Sequence, residues 1–315
     1  MKSKLLTFWL AAVFLHLISC TASAPSEDAR HMAISDTFEI QGHRGARGYL
    51  PENSIPGFVL ALEQGAQVLE FDLCVSRDSQ LVVNHEPWLN KKICLDPQGN
   101  PIENEEDWKL FSMDMETIRG CDCGSLGNPR FPTQAKRSVS RPALWEVVQV
   151  AEMMRTKGDS AKVRYNIEIK FEEGGEGIYH PTADQFASLV IGELLELGIY
   201  DRTTVQSFSA EVLEALHAID PKLSTSWLVE DDASAEEQLA RLTFVPTVFS
   251  PDFSSLSADD IDYCHANGTK VIPWTVNDQA DMISLIELGV DGIITDYPKE
   301  LAVVVEEKRT ETESL

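Results

Sequence analysis

Three acidic residues in apolar surroundings are the part of this chain best suited to chemistry. Glu70 and Asp72 alternate with apolar residues in V-L-E-F-D-L, and Glu168 does so in Y-N-I-E-I-K-F. Positions two apart on a β-strand point the same way, so Glu70 and Asp72 should share a buried face. Buried ionised carboxylates repel each other, and a hard cation with oxygen ligands offsets that repulsion. The sequence therefore predicts a site for one divalent cation, Ca²⁺ or Mg²⁺.

A network of ion pairs without a metal is the alternative to this cation site. Arg44 and Lys170 stand near the same acidic residues in the predicted strands, and they could neutralise part of the negative charge. The carboxylates outnumber these two partners, which favours the metal over the network.

Two histidines close apolar runs in the same part of the chain. His43 ends F-E-I-Q-G-H, and His85 ends L-V-V-N-H. Beside a metal, such a pair suits phosphodiester cleavage, because one ring can accept a proton from the nucleophile while the other protonates the leaving alkoxide. The other histidines beyond the first twenty residues lie in linker-like or helix-like contexts and predict no role: His31, His180, His217 and His265.

The elements that must position these residues follow a regular rhythm. Strand-like apolar runs alternate with amphipathic helical patterns, which predicts a parallel sheet. Eight such units predict an α/β fold of the (β/α)₈ TIM-barrel type, with functional groups at the carboxyl ends of the strands. The strands are expected at 38–43, 67–75, 163–171, 203–208, 223–230, 246–250, 270–276 and 291–295.

One interval breaks this rhythm, between the second strand and the second helix. An extra strand-like run at 80–86 is followed by a stretch rich in Pro, Gly, Asn and Asp. Long loops at this end of a barrel usually carry function, so we expect an insertion at 87–140 that caps the site. The barrel itself is expected over 37–307, followed by a polar tail at 308–315.

The first residues have the features of an export signal. Lys2 and Lys4 precede an apolar run that is too short to remain as a membrane-spanning helix, so 1–19 is predicted to be a signal peptide. The run ends L-I-S-C, which resembles the bacterial lipobox, and Cys20 is then expected to be lipidated. Residues 20–36 would form a linker to the barrel.

Two locations are compatible with this signal. Thr21 follows the cysteine where many inner-membrane lipoproteins have Asp, so the resemblance implies a periplasmic protein anchored to the outer membrane. Soluble secretion is the alternative, because the small residues 22–24 also suit ordinary signal peptidase. In the first case the only membrane contact would be the lipid on Cys20.

The cysteines after Cys20 are odd in number, so at least one is unpaired in an oxidising compartment. Cys74 falls in a strand pattern and is expected to be a buried free thiol. Cys94 could pair with either Cys121 or Cys123. The spacing Cys121-x-Cys123 does not fit half of a zinc site.

The chain of 315 residues carries a formal net charge of −25. Such an acidic protein is unsuited to binding nucleic acid, and it should not dock onto anionic lipid. An anionic substrate would have to be attracted by local positive charge at the site.

Several ordered motifs resemble the glycerophosphodiester phosphodiesterase family. The resemblance covers about residues 38 to 300 and is specific because the motifs recur in order and at matching spacing. They are G-H-R-G-A-R-G at 42–48, P-E-N-S at 51–54, E-F-D-L at 70–73, L-V-V-N-H at 81–85, N-I-E-I-K at 166–170, Q-S-F at 206–208, W-T-V-N at 274–277 and D-G-I-I-T-D-Y-P at 291–298.

This resemblance implies hydrolysis of a small glycerophosphodiester to sn-glycerol 3-phosphate and a free alcohol. It also implies a role for each matching position. His43 and His85 would be the acid–base pair; Arg44 and Lys170 would contact the phosphate; Glu70, Asp72 and Glu168 would ligate the metal; Glu52 would support this cluster; and Trp274 would line the glycerol pocket.

Alternatives remain open at this point. The family often has Asp after the second histidine, whereas this chain has Glu86. This difference leaves open how the leaving group is recognised, but it does not affect the expected chemistry. A related barrel phospholipase acting on intact lipids is the alternative function. The nucleophile is either water or a neighbouring glycerol hydroxyl. Arg130 in the insertion is expected to form an ion pair that orders its loop, with a contact to substrate as the alternative.

Overall fold

The structure is a computed structural model that describes residues 34–155 and 162–313. The predicted signal peptide, the lipobox cysteine and most of the linker lie outside the described residues. Among the helices of the described residues, none is both long and apolar enough to span a bilayer.

Parallel strands form most of a barrel. The strands of the described residues are β1 (Glu39–His43), β2 (Val68–Val75), β3 (Leu81–Val83), β4 (Arg164–Ile169), β5 (Thr203–Ser207), β6 (Ser224–Val229), β7 (Val248–Pro251), β8 (Lys270–Val271) and β9 (Gly292–Thr295). Their order around the sheet is β8-β7-β6-β5-β4-β2-β1-β9, and β3 pairs antiparallel with β2 as the extra strand. Each of the eight predicted strands has its counterpart, so the (β/α)₈ prediction is confirmed.

The barrel closes through single backbone hydrogen bonds between the β8 and β9 regions. The amide of Asp291 donates to the carbonyl of Val271 at 2.9 Å, and that of Ile294 donates to Pro273 at 3.0 Å. The strand expected at 270–276 is regular only at its start, because Pro273 has no N–H to donate to a ladder. Val276 still donates to the carbonyl of Ile294 at 3.0 Å.

Helices cover the outside of the barrel. The outward residues of the strands pack against them, as Phe71 does against Phe58 with ring centroids 5.4 Å apart. The helices of the described residues are α1 (Ile55–Glu63), α2 (Met115–Arg119), α3 (Leu144–Arg155), α4 (Ala183–Glu196), α5 (Ala210–Ile219), α6 (Ala235–Leu239), α7 (Ala258–Ala266), α8 (Gln279–Leu288) and α9 (Pro298–Glu313).

The last helix, α9, continues through Glu313 and so includes most of the segment expected as a polar tail. The segment is rich in good helix formers. Lys308 ties the helix to α8, with its Nζ 2.7 Å from Glu287 Oε1, and it also pairs within α9 with Glu311 Oε2 at 3.3 Å. The contact with Glu287 holds the end of α9 against α8.

The insertion between β3 and α3 has its own small core. Leu89, Cys94, Leu110 and Ile118 are fully buried in a cluster that is separate from the main core. A disulfide joins Cys94 to Cys123, which decides between the two partners that the sequence left open. Cys74, Cys121 and Cys264 are buried free thiols, so the prediction for Cys74 is confirmed.

We predict that Cys94→Ala/Cys123→Ala lowers the free energy of unfolding by about 3 kcal/mol. The bond closes a segment with a sequence separation of 29, and constraining a loop of that length stabilises a fold through the unfolded chain. Denaturant unfolding followed by circular dichroism, with and without reductant, measures the effect.

Cys121→Ala is the matched control, because it removes a buried thiol from the same core without removing the bond. Reductant should destabilise the wild type and Cys121→Ala equally, but not the double variant. A double variant that still responds to reductant would contradict the assigned pairing.

Candidate functional site

The three predicted carboxylates meet at the carboxyl ends of adjacent strands. Glu70 and Asp72 lie on β2 and Glu168 lies on β4, where the register pairs Asp72 with Glu168. One ligand oxygen from each residue lies within 4.8 Å of those of the other two, and all three residues are buried. The alternating strand pattern therefore does place both β2 acids on the interior face.

This cluster has the chemistry of a cation site. Asp72 Oδ1 is buried and has no hydrogen-bond partner in the described residues, so one hard oxygen is free to bind a cation. Burial, and then the charge of Asp72, raise the pKa of Glu70 well above its usual range. Burial also raises the pKa of Glu168 despite the attraction of Lys170. A divalent cation would relieve this repulsion, and the all-oxygen donor set suits Ca²⁺ or Mg²⁺.

Neighbouring donors hold the remaining carboxylate oxygens. Gln206 Nε2 donates to Glu70 Oε1 at 2.8 Å, and the backbone amide of Arg44 donates to Glu70 Oε2 at 2.9 Å. Asn53 Nδ2 donates to Asp72 Oδ2 at 2.8 Å. These bonds fix the directions in which the carboxylates point.

Arg44 lies in the loop after β1, among these acids. Its Nε lies 3.3 Å from Asp72 Oδ2, and its Nη1 donates to Glu52 Oε1 at 3.1 Å. Glu52 is buried, and although burial opposes its ionisation, Arg44 and Arg47 lower its pKa. The structure thus places Glu52 behind Arg44, as a partner for its guanidinium.

His43 ends β1 and is held by a residue from the opposite end of the sequence. Its Nδ1 lies 2.8 Å from Asp296 Oδ1, and Asp296 also accepts from Arg47 Nε at 2.7 Å. Burial opposes ionisation of Asp296, but His43 and Arg47 outweigh it and lower its pKa. An ionised carboxylate only accepts hydrogen bonds, so Nδ1 of His43 is the donor.

The remaining ring nitrogen of His43 is therefore free to accept a proton. Burial, and then the charge of Arg47, lower the pKa of His43 to about 4. The ring is neutral near neutral pH, and its Nε2 carries the lone pair. His43 lines the cavity above the carboxylates.

His85 stands in the loop after β3, which hydrogen bonds hold in place. Asn84 Nδ2 donates to the carbonyls of Glu86 at 2.5 Å and Trp88 at 3.1 Å. The Cys74 thiol donates to the Asn84 carbonyl at 3.2 Å. His85 Nδ1 lies 3.3 Å from Glu86 Oε1, so a protonated ring has a carboxylate partner.

The cavity brings together most of the residues expected from the sequence. Its apolar wall includes Trp274, whose Nε1 donates to the Ser250 carbonyl at 2.9 Å and whose ring meets that of Phe208 edge to face at 5.4 Å. Lys170 is not on the cavity wall; its Nζ pairs with Glu168 Oε1 at 2.7 Å. The cavity is lined by His43, Arg44, Arg47, Glu70, His85, Arg130, Glu168, Gln206, Phe208, Leu228, Trp274, Thr275 and Ile294.

Sequence reasoning gave no role to several residues that organise this site. Asp296 orients His43, Asn53 bonds Asp72, and Gln206 of the Q-S-F motif bonds Glu70. A polar residue at the carboxyl end of each predicted strand was the signal that could have found Asp296 and Gln206. Asn53 lies in a loop whose path the strand pattern does not define.

The insertion reaches the cavity from outside the barrel. Asn128 Nδ2 donates to Glu52 Oε2 at 3.1 Å, and Gln134 Nε2 donates to the Arg47 carbonyl at 2.7 Å. Arg130 lines the cavity and forms no ion pair with any described residue, so the expected loop-ordering ion pair is absent there.

Comparisons with known proteins agree with this geometry. Residues 43–300 match the family model described as the glycerophosphoryl diester phosphodiesterase family. A glycerophosphodiester phosphodiesterase of Bacillus subtilis is 28% identical over 304 residues, which cover 94% of this chain and 96% of the relative.

Solved structures share the fold. A Silicibacter pomeroyi protein, provisionally assigned as a glycerophosphoryl diester phosphodiesterase, has a TM-score of 0.77 at 28% identity, covering 86% of this chain and 93% of that one. An Oleispira antarctica phosphodiesterase, in complex with the product sn-glycerol-3-phosphate, has a TM-score of 0.67 at 22% identity, covering 84% and 96%. Because the family model spans well over half of the sequence and contains every predicted site residue, the chain belongs to the glycerophosphoryl diester phosphodiesterase family.

Proposed function

We propose that the cavity hydrolyses glycerophosphodiesters to sn-glycerol 3-phosphate and a free alcohol. The observation that carries this proposal is the cavity itself, which brings His43, held at Nδ1 by Asp296, together with His85 and with Glu70 and Glu168 of the carboxylate cluster. The names of the Bacillus subtilis relative and the product bound to the Oleispira antarctica protein support the same substrate class.

The two histidines would divide the proton transfers. His43 accepts at Nε2 the proton of the nucleophile, and Asp296 stabilises the imidazolium that forms. The nucleophile is either water, which gives sn-glycerol 3-phosphate directly, or a neighbouring glycerol hydroxyl, which gives a cyclic phosphate that water then opens. As the bond from phosphorus to the leaving oxygen breaks, His85 gives a proton to the departing alkoxide. The carboxylate of Glu86, with Oε1 3.3 Å from Nδ1, lies beside the His85 ring.

The charged residues around the phosphate would support this chemistry. Arg44, held by Asp72 and Glu52, presents its guanidinium to the phosphoryl oxygens. Glu70, Asp72 and Glu168 would hold the cation. When bound, a divalent cation supplies Lewis-acid polarisation of a phosphoryl oxygen.

The phospholipase alternative gains no support from the insertion. Activity on membrane lipids would favour an exposed apolar lip. Leu89 and Leu110 are instead fully buried, and Trp88 and Trp108 are half-buried. The smaller, water-soluble diester is therefore the substrate that we favour.

We predict that His43→Ala and His85→Ala each lower kcat by about a hundredfold or more, the usual scale for loss of acid–base catalysis. Turnover of glycerophosphocholine, glycerophosphoethanolamine and a lysophospholipid by the purified proteins measures the effect. Faster turnover of the lysophospholipid by the wild type would favour the alternative function.

His217→Ala is the control, because His217 stacks on Phe244, and neither lies on the cavity wall. This variant should retain wild-type turnover. A folded His43→Ala or His85→Ala protein with near wild-type kcat would show that the assigned role is wrong.

A second prediction concerns the cation. Chelation should abolish turnover, and Ca²⁺ or Mg²⁺ should restore it, because Glu70, Asp72 and Glu168 form an all-oxygen donor set. Metal content is measured by elemental analysis in the same samples, and Glu168→Gln should lower it. Full turnover by protein that contains no metal would support the ion-pair network instead.

The N-terminal proposal is independent of the catalytic one. We propose a periplasmic, outer-membrane lipoprotein anchored at Cys20, supported by the L-I-S-C sequence after the apolar run. Stable anchoring needs more than one acyl chain, which a lipidated N-terminal cysteine can provide.

Cys20→Ala should therefore abolish membrane attachment while leaving the purified barrel active, because no proposed site residue precedes His43. Cell fractionation and mass spectrometry of the native N-terminus test this expectation. An unmodified N-terminus near Pro25 would favour soluble secretion.

A further inference from the structure

Arg130 is a cation at the cavity that the proposed chemistry does not use. The turn that carries it is anchored on both sides: Asn128 bonds Glu52, and the ring of Phe131 lies under the Arg47 guanidinium at 4.9 Å. Within the turn, the Arg130 amide donates to Asn128 Oδ1 at 3.0 Å. The backbone of Arg130 is therefore fixed at the cavity, while its side chain is exposed.

The charge of Arg130 is also available, unlike that of the other arginines there. Arg44 is paired with Asp72 and Glu52, and Arg47 is paired with Asp296. Arg130 forms no ion pair with any residue in 34–155 or 162–313. Among the arginines that line the cavity in these ranges, it alone has a charge that no carboxylate offsets.

An anionic diester meets an unfavourable field as it approaches this protein. The chain has a net charge of −25, and the cavity floor carries Glu70 and Glu168. Arginines already paired with carboxylates offset little of that repulsion at a distance. An exposed guanidinium at the cavity attracts the anion locally and can bind two phosphate oxygens at once.

We propose that Arg130 is a substrate-binding residue whose guanidinium contacts the phosphate group of the incoming diester. The insertion thus supplies a phosphate-binding side chain in addition to those of the barrel. This assignment rests on the proposed function only in taking the substrate to be a phosphodiester. It gives the insertion a role in binding, with the chemistry left to the barrel residues.

The test compares Arg130→Gln with Arg137→Gln. Arg137 is an exposed arginine of the same insertion that does not line the cavity. Both substitutions change the net charge equally. A difference in kinetics or phosphate affinity between the two variants therefore arises from the position of the arginine, and not from the overall charge of the protein. Exposed positions tolerate such changes, and circular dichroism checks that both variants fold.

Arg130→Gln should raise KM and lower kcat/KM about tenfold, with kcat nearly unchanged, whichever alcohol the diester carries. Arg130→Lys, which keeps the charge, should recover part of the loss. Arg137→Gln should match the wild type. Glycerophosphocholine, glycerophosphoethanolamine and glycerophosphoglycerol provide the three alcohols.

Binding of inorganic phosphate, measured by calorimetry, separates this proposal from the proposed function. Phosphate should bind Arg130→Gln about tenfold more weakly than Arg137→Gln, even in a protein that turned over none of the diesters. Equal phosphate affinity in the two variants, or a kcat/KM loss confined to one alcohol, would overturn the assignment of Arg130 to the phosphate.

Discussion

The burial of three carboxylates at one edge of the barrel is the constraint on which the rest of the site depends. Each buried acid needs donors or a cation, and the surrounding strands supply polar side chains for this purpose. Gln206 bonds Glu70 and also accepts from Asn166 Nδ2 at 2.9 Å, and Asn166 in turn donates to Gln41 at 2.8 Å. On the β7–β9 side, by contrast, Val248, Ile272 and Ile294 form a small buried apolar cluster. The barrel interior is polar where it must orient the acids.

The loop after β1 also supplies donors to these buried acids, and it can do so because of its backbone conformation. Arg44 has a φ of 51°, a left-handed conformation that costs a non-glycine residue about 1 kcal/mol. Gly45 follows at φ 91°, and a Cβ there would lie 2.7 Å from the carbonyl carbon of Gly57. Ser54 caps α1 by accepting from the Gly57 amide at 3.3 Å. This tight path brings both the amide and the guanidinium of Arg44 to the acids.

The sequence predicted those parts of the site that depend on local pattern. Strand parity placed Glu70 and Asp72 on one face, and the polar ends of strands identified His43 and Glu168. The bond between His43 and Asp296 joins residues separated by 253 positions, and it exists only because β9 lies beside β1 when the barrel closes. The disulfide partner of Cys94 could not be identified from the sequence for the same reason, because the three-dimensional path of the insertion determines it.

The two histidines differ in environment, and the difference follows from their loops. His43 is buried and tied to a carboxylate that two other side chains also hold, Arg47 and Asn277. His85 is half-buried in the loop after β3, which Asn84 and Cys74 brace through backbone carbonyls. Chemistry that needs a base and an acid at the same pH requires unlike surroundings for two like residues. Here the barrel provides one of these environments, and the start of the insertion provides the other.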